Sequence, residues 1–311
     1  MKKNEAPIAI LDKIINSRFS PPIISDWWRA AKVKMKVKNV NFFSSIHKHV
    51  KKGDTIFILG NGPSLKEQLE NSWSIMASSP CICVNSFVDT DWYTKIKPCV
   101  FVLMDPVWFL SDRSKIADPM RNKVETVFQN LFDKTEWNMD LIVPSYNTNC
   151  EHLKQLEKNP FINILYVNVL NCSSYSNKKS MFELFNKNML AAPALNVLNT
   201  ATYLAIFWKY EKIILIGADS SWLEELSVDQ KTNVVYTEQK YFFGTLKRFC
   251  NIDSEYATPA KLHETLFYIR GAFEAYWLLR EYADFNSVSV FNASKKSWID
   301  AFERKSLEEL C

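Results

Sequence analysis

Glycine is scarce in this chain, with 6 residues in 311. A sequence so poor in glycine spends it where the backbone must take a positive φ or approach something closely. Histidine is rarer still, with 4 residues, which narrows the choice of a side chain that exchanges protons near neutral pH. No apolar run approaches the roughly 20 residues that span a bilayer. The charged start Met1-Lys2-Lys3-Asn4-Glu5 leads into no apolar stretch of signal-peptide length. The expected compartment is therefore the cytoplasm. Low-complexity linkers and internal repeats are also lacking, so the length accommodates one large α/β domain or one domain with an appendage.

Hydrophobic residues make up 47% and charged residues 23%, a balance that excludes intrinsic disorder. The 7 cysteines are odd in number and scattered through apolar runs. Cys81 and Cys83 alternate within a predicted strand and share one face; lacking ligand partners nearby in sequence, they read as reduced core thiols. A net charge of +4 is too small to imply a nucleic-acid partner. Its distribution says more. Residues 28–52 carry Arg29, Lys32, Lys34, Lys36, Lys38, Lys48, Lys51 and Lys52 with no acidic residue, beside Trp27, Trp28, Phe42 and Phe43. This basic, aromatic extension over 1–52 suits a solvated face, an anionic membrane surface or an acidic substrate. The alternation over 32–38 predicts an edge strand.

The main domain is expected over 53–311. Its most informative stretch is Ile56-Phe57-Ile58-Leu59-Gly60-Asn61-Gly62-Pro63-Ser64-Leu65, read as a buried strand, a tight turn and a helix start. Helices are expected over 65–78, 91–95, 120–132, 178–190, 196–209 and 259–282. Strands are expected over 56–59, 81–85, 99–104, 141–144, 164–167, 212–216 and 288–291. Residues 220–258 read as an irregular lid or acceptor loop. Strands alternating with helices predict an α/β fold, Rossmann-like and doubly wound, with a mainly parallel sheet. Five of these strands end in small or polar residues: Gly60-Asn61-Gly62, Asn85-Ser86, Asp105-Pro106, Gly217-Ala218-Asp219 and Asn292-Ala293-Ser294. In an open parallel sheet such endings share one edge, where ligands bind. The glycine turn at a helix start is expected to offer backbone N–H groups to an anion.

Gly60-Asn61-Gly62-Pro63-Ser64-Leu65, Asn85 and the later Gly217-x-Asp219 resemble bacterial sialyltransferases of glycosyltransferase family 42, as does Asn292-Ala293-Ser294, which is similar to that family's Pro-Asn-Ser element. The layout, with Asp105-Pro106 after the third strand, also resembles the motility-associated and pterin-pyrophosphokinase-like proteins. The resemblance covers about 54–305 and implies a GT-A-like variant of the Rossmann fold. It implies an inverting, metal-independent transfer of sialic acid or Kdo from a CMP-activated donor to a bacterial surface glycan or lipid-linked glycan, with no cofactor. On it, Gly60, Asn61, Gly62, Ser64, Asn85, Asn196, Asn199, Gly217, Asp219, Ser221, Asn292 and Ser294 hold the nucleotide. The resemblance implies that His263 is the general base.

The chain departs from that family at two places. Asp105 replaces an Asn, and would hydrogen-bond a ribose or sugar hydroxyl. No tyrosine follows Gly217-Ala218-Asp219, so Tyr236 or Tyr241 would hold the leaving phosphate, with Ser220 and Ser221 as substitutes. Trp222 is available to stack on a sugar. Asp89-Thr90-Asp91 has the D-x-D form of metal-dependent glycosyltransferases but also sits where a helix cap is expected. Two competing readings remain: a metal-dependent pterin-type diphosphokinase using Asp89, Asp105 and Asp219, and a non-catalytic nucleotide-binding protein.

Overall fold

The computed structural model describes residues 54–110, 118–145, 150–167, 178–187, 190–241, 244–249, 251–253 and 258–311. The basic extension, with its expected edge strand, His47 and His49, lies outside the described residues.

Eight strands form one parallel sheet: β1 (Thr55–Leu59), β2 (Cys81–Val84), β3 (Val100–Val102), β4 (Met139–Pro144), β5 (Ile162–Val167), β6 (Lys212–Ile216), β12 (Ser289–Asn292) and β13 (Glu303–Arg304). Their spatial order is β13-β12-β6-β1-β2-β3-β4-β5. The chain therefore runs outward from β1 through β2 to β5, returns to β6 on the other flank of β1, and continues to β12. This is a doubly wound, Rossmann-like α/β fold, and its topological switch point lies between β1 and β6.

The strand sequences explain the layers. Successive side chains point to opposite faces, and both faces here are apolar. Ile56, Ile58, Ile213 and Leu215 pack into one core, against α5 (Lys178–Asn186), α6 (Val197–Phe207) and α8 (Leu262–Phe285). Phe57, Leu59, Ile214 and Ile216 pack into the other, against α1 (Leu65–Ala77), α2 (Trp92–Ile96), α3 (Asp118–Lys134), α4 (Glu151–Leu156) and α9 (Leu307–Leu310). Each such side chain is fully removed from water, worth about 1.5–3 kcal/mol apiece. Cys81 and Cys83 share the second core, where burial raises both thiols well above their ordinary range.

Among its described residues, the region expected to be an irregular lid carries regular strands. After the single turn α7 (Trp222–Glu225) come β7 (Leu226–Val228), β8 (Val235–Tyr241) and β9 (Gly244–Phe249), an antiparallel three-stranded meander. The short pair β10 (Asn251–Asp253) and β11 (Thr258–Pro259) follows. Val235 and Thr237 are buried while Glu238 is exposed, a period-2 alternation masked in sequence by polar residues on both faces. Asp229 Oδ1 builds the β7–β8 turn, accepting from the Lys231 and Thr232 amides, and Asn233 takes φ 55°. The small edge strand β13 carries only two residues, too few for its own sequence signal.

Three of the 6 glycines stand at the switch point. Gly217 has φ +61°, and a Cβ there would lie 2.6 Å from Leu65 Cβ. A Cβ on Gly60 would overlap the Gly217 carbonyl, and one on Gly62 the Asp219 carboxylate. Gly217→Ala is expected to destabilise the fold by about 2–4 kcal/mol, combining left-handed strain with overpacking. Urea unfolding measures it; a loss under about 0.5 kcal/mol, the range of neutral surface changes, would show that this approach has room to spare.

Candidate functional site at the strand switch point

The β1 and β6 endings are interlocked. Gly60 N donates to Ile216 O at 2.8 Å, and Gly62 N to Gly217 O at 2.9 Å. Ser64 donates twice to Asp219, from its amide at 3.1 Å and its hydroxyl at 2.5 Å. Pro63 has no donor. The turn is thus built differently from the anion cradle its sequence suggests. The Gly60, Gly62 and Ser64 amides are already engaged, and the anion at the start of α1 is the chain's own Asp219. Burial holds the Asp219 carboxyl above the usual carboxylate range, and the two bonds from Ser64 oppose that rise.

Above this brace opens a cavity of about 410 Å³. Asn61, Gly62, Asn85, Asp105, Asn196, Gly217, Asp219 and Ser221 all line it. These residues come from the carboxyl ends of β1, β2, β3 and β6 and from the amino end of α6. Asn61 is 8% exposed; its Nδ2 donates to Val84 O at 3.0 Å, while its Oδ1 has no hydrogen-bond partner. Asn85 takes φ 50° and leaves its own buried Oδ1 unpartnered. A left-handed conformation is tolerated by Asn better than by most residues, and strained backbone gathers at binding sites. Asp105 caps the turn after β3, accepting from Val107 N at 3.0 Å. Asn196 caps α6 through Leu198 N at 3.0 Å and donates to Tyr276 Oη at 3.0 Å.

Other expected residues stand behind the wall or away from it. Gly60 lies in the interlock. Asn199 is buried and donates to Ala272 O at 3.3 Å. Ser294 Oγ accepts from Ala218 N at 2.9 Å, and Asn292 Nδ2 donates to Ser297 Oγ at 2.9 Å. They shape the loop that supports Gly217-Ala218-Asp219. Tyr236 is half-buried in β8 and does not line the cavity. Tyr241 ends β8, and its side chain lies outside the described residues. His263 is exposed on the first turn of α8 and does not line the cavity either. The part of α8 that meets the cavity wall is further on: Phe273 touches Trp222, and Tyr276 holds Asn196. Ten residues of helix separate His263 from Phe273, about 15 Å along the axis.

Several lining residues are not singled out by the sequence, among them Met104, Ala194, Leu195 and Glu225. Glu225 looks like one more charge in a polar run; the only signal for it is its i,i+4 relation to Ser221. The D-x-D element is structural. Asp89 pairs with Lys123 at 2.7 Å and accepts from Asn130 at 2.7 Å, away from the cavity.

The electrostatics of the cavity are one-sided. Asp105, Asp219 and Glu225 line it, and no lysine, arginine or histidine does so among the described residues. Positive contributions come from the amino ends of α1 and α6 and from Lys296, which does not line the cavity but whose charge acts on Asp219 and Glu225. An acceptor-rich wall of carboxylates and amide oxygens suits a ligand bearing many hydroxyl or amino donors. Among the described residues no group of three or more His, Cys, Asp or Glu is placed to hold a metal ion, and no helix is long and apolar enough to cross a membrane.

Residues 32–225 match the family of 6-hydroxymethylpterin diphosphokinase MptE-like proteins, and the chain belongs to that family. The match begins inside the basic extension. No curated protein matches the chain. Five chains of solved structures do. One is the MAf glycosyltransferase from Magnetospirillum magneticum AMB-1, at 14% identity and TM-score 0.47, with 93% of this chain aligned to 42% of that one. The chain therefore spans under half the length of that protein.

The raised Asp219 carboxyl predicts a pH effect with a definite sign. A folded-state pKa above the unfolded value gives stability that is full below the unfolded value, about 3.9, and is lost as pH rises through the folded one. Asp219→Asn removes that loss. The stability of Asp219→Asn relative to wild type should therefore grow as pH rises from about 4, in urea unfolding followed across pH. A difference independent of pH would contradict the burial of this charge.

Proposed function

We propose that this member of the MptE-like family is a glycosyltransferase that binds a CMP-activated acidic sugar, sialic acid or Kdo, at the β1/β6 switch point and passes it to a hydroxyl of a surface glycan or lipid-linked glycan. The observation that carries the reading is the pair of buried, unpartnered amide oxygens, Asn61 Oδ1 and Asn85 Oδ1, in the wall of one cavity at the strand ends. Leaving such atoms unsatisfied costs about 1–3 kcal/mol each, a cost that a ligand's hydroxyl or amino groups would offset. The phosphate would lie toward the amino end of α6, where the helix dipole favours negative charge. Asp105 would accept from a ribose or sugar hydroxyl, which keeps its carboxylate off the phosphate. Transfer would then need orientation of the two partners and removal of one proton. With His263 outside the cavity, that proton would go to a cavity carboxylate.

Family membership favours a second reading, diphosphoryl transfer from ATP to a pterin-like alcohol at the same site. That chemistry uses Mg²⁺ to neutralise phosphate charge. The donor set fits such an ion only as one borne by the substrate's phosphates and touched by one or two carboxylates, of which Asp105 would be one. Metal dependence separates the readings. Calorimetric titration is expected to show CMP binding that persists in EDTA and weakens by about tenfold in Asn61→Ala, the loss of one buried hydrogen bond. Binding of ATP but not CMP, abolished by EDTA, would favour the second reading over the first. His263→Ala should keep turnover within about threefold, well short of the ~10²–10⁴ that loss of a general base costs; a larger fall would return the base to α8.

A further inference from the structure

We propose that α7 is the acceptor subsite, with Trp222 as the platform for a sugar ring and Glu225 as the general base. The proposal rests on the glycosyl-transfer reading above. Glu225 is a carboxylate only 9% exposed in the wall of the cavity. Ser221 Oγ donates to its Oε1 at 3.4 Å across one turn of backbone, which orients the group. The meander supports the same turn, since β8 packs against α7.

Each of the three cavity carboxylates accepts a hydrogen bond from the protein: Asp219 from Ser64, Asp105 from Val107 N and Glu225 from Ser221. Glu225 differs from the other two in position. Because β6 lies on the opposite flank of β1 from β2 and β3, α7 enters the cavity from the side facing Asn85 and Asp105. A donor held by the strand ends would thus meet an acceptor held by α7. Trp222 lines the cavity with its ring held against Phe273, centroids 5.8 Å apart. Leu195, 44% exposed, also lines the cavity and adds apolar surface there. A rigid aromatic face with an apolar border suits the apolar face of a pyranose ring.

The acceptor oxygen bonds to the anomeric carbon of the donor, and its proton passes to a Glu225 carboxylate oxygen. The bond from the anomeric carbon to the phosphate oxygen breaks, and its electron pair leaves with CMP. Nothing is oxidised or reduced. A buried carboxylate performs this transfer when it lies within hydrogen-bond reach of the hydroxyl.

The test compares wild type with Glu225→Gln, using CMP as the binding probe and CMP-N-acetylneuraminate and CMP-Kdo as donors, with water and then azide as the nucleophile. Glu225→Gln is expected to bind CMP within about twofold of wild type while releasing CMP from the donor to water about 10²–10³-fold more slowly. Azide carries no proton to remove, so it should restore CMP release in the variant and yield the glycosyl azide. A variant that keeps turnover within about threefold, or gains nothing from azide, overturns the role of Glu225 while leaving the transferase reading standing. Loss of CMP affinity in the variant makes Glu225 a structural residue and also overturns it. A wild-type protein that neither binds CMP nor consumes either donor defeats the transferase reading, and this assignment with it.

Discussion

The close approach of two strand ends sets the geometry of this protein. At the β1/β6 boundary the Gly60-Asn61-Gly62 turn lies against Gly217-Ala218-Asp219 with no space for a Cβ on any of the three glycines. Backbone bonds from Gly60 and Gly62 and the two Ser64 bonds to Asp219 lock the contact. Without it, Asn61 would not project into the same cavity as Asn85, Asp105 and the end of α6. Because Ile56–Leu59 and Ile213–Ile216 are buried on both faces, the sheet cannot shift to relieve a misfit at their ends. Packing density in such a core transmits even a methyl-sized change.

This interlock also decides the electrostatics. A glycine turn before a helix ordinarily leaves backbone N–H groups for an incoming anion. Here Asp219 takes that place, so the negative charge at the start of α1 is built in. A phosphate must look to α6 instead, and the rest of the wall presents oxygen acceptors. The cavity is thereby biased toward hydroxyl-rich ligands, and it separates a strand-end side from an α7 side. Under the proposed transfer, that division would seat donor and acceptor on opposite sides.

Much of the sheet could be read from residues alone, because β1, β2, β3 and β6 are apolar runs with abrupt polar endings. Those endings also include part of the cavity lining, Asn61, Asn85, Asp105 and Asp219, while Asn196 came from the family resemblance. What could not be read has identifiable causes. The meander β7–β9 carries charged and polar side chains along its strands, which hides its alternation. Asn292 and Ser294 have the right types at a strand end, yet their hydrogen bonds turn inward to the loop beneath Asp219. His263 looked well placed only while the part of α8 touching the sheet edge was unknown; in a helix of 24 residues that uncertainty spans several turns. Glu225 carries no local signal beyond its i,i+4 spacing from Ser221, and the packing of β8 against α7 is a contact between separate elements.

The central claim is that the strand ends converge into one nucleotide-gripping cavity. Hydrogen exchange of backbone amides with and without CMP tests it most directly. The account predicts slowed exchange in three separated segments at once, 60–65, 194–199 and 217–222, with β4 and β5 unchanged. Exchange that CMP leaves unaltered in these segments, or slows only elsewhere, would contradict it.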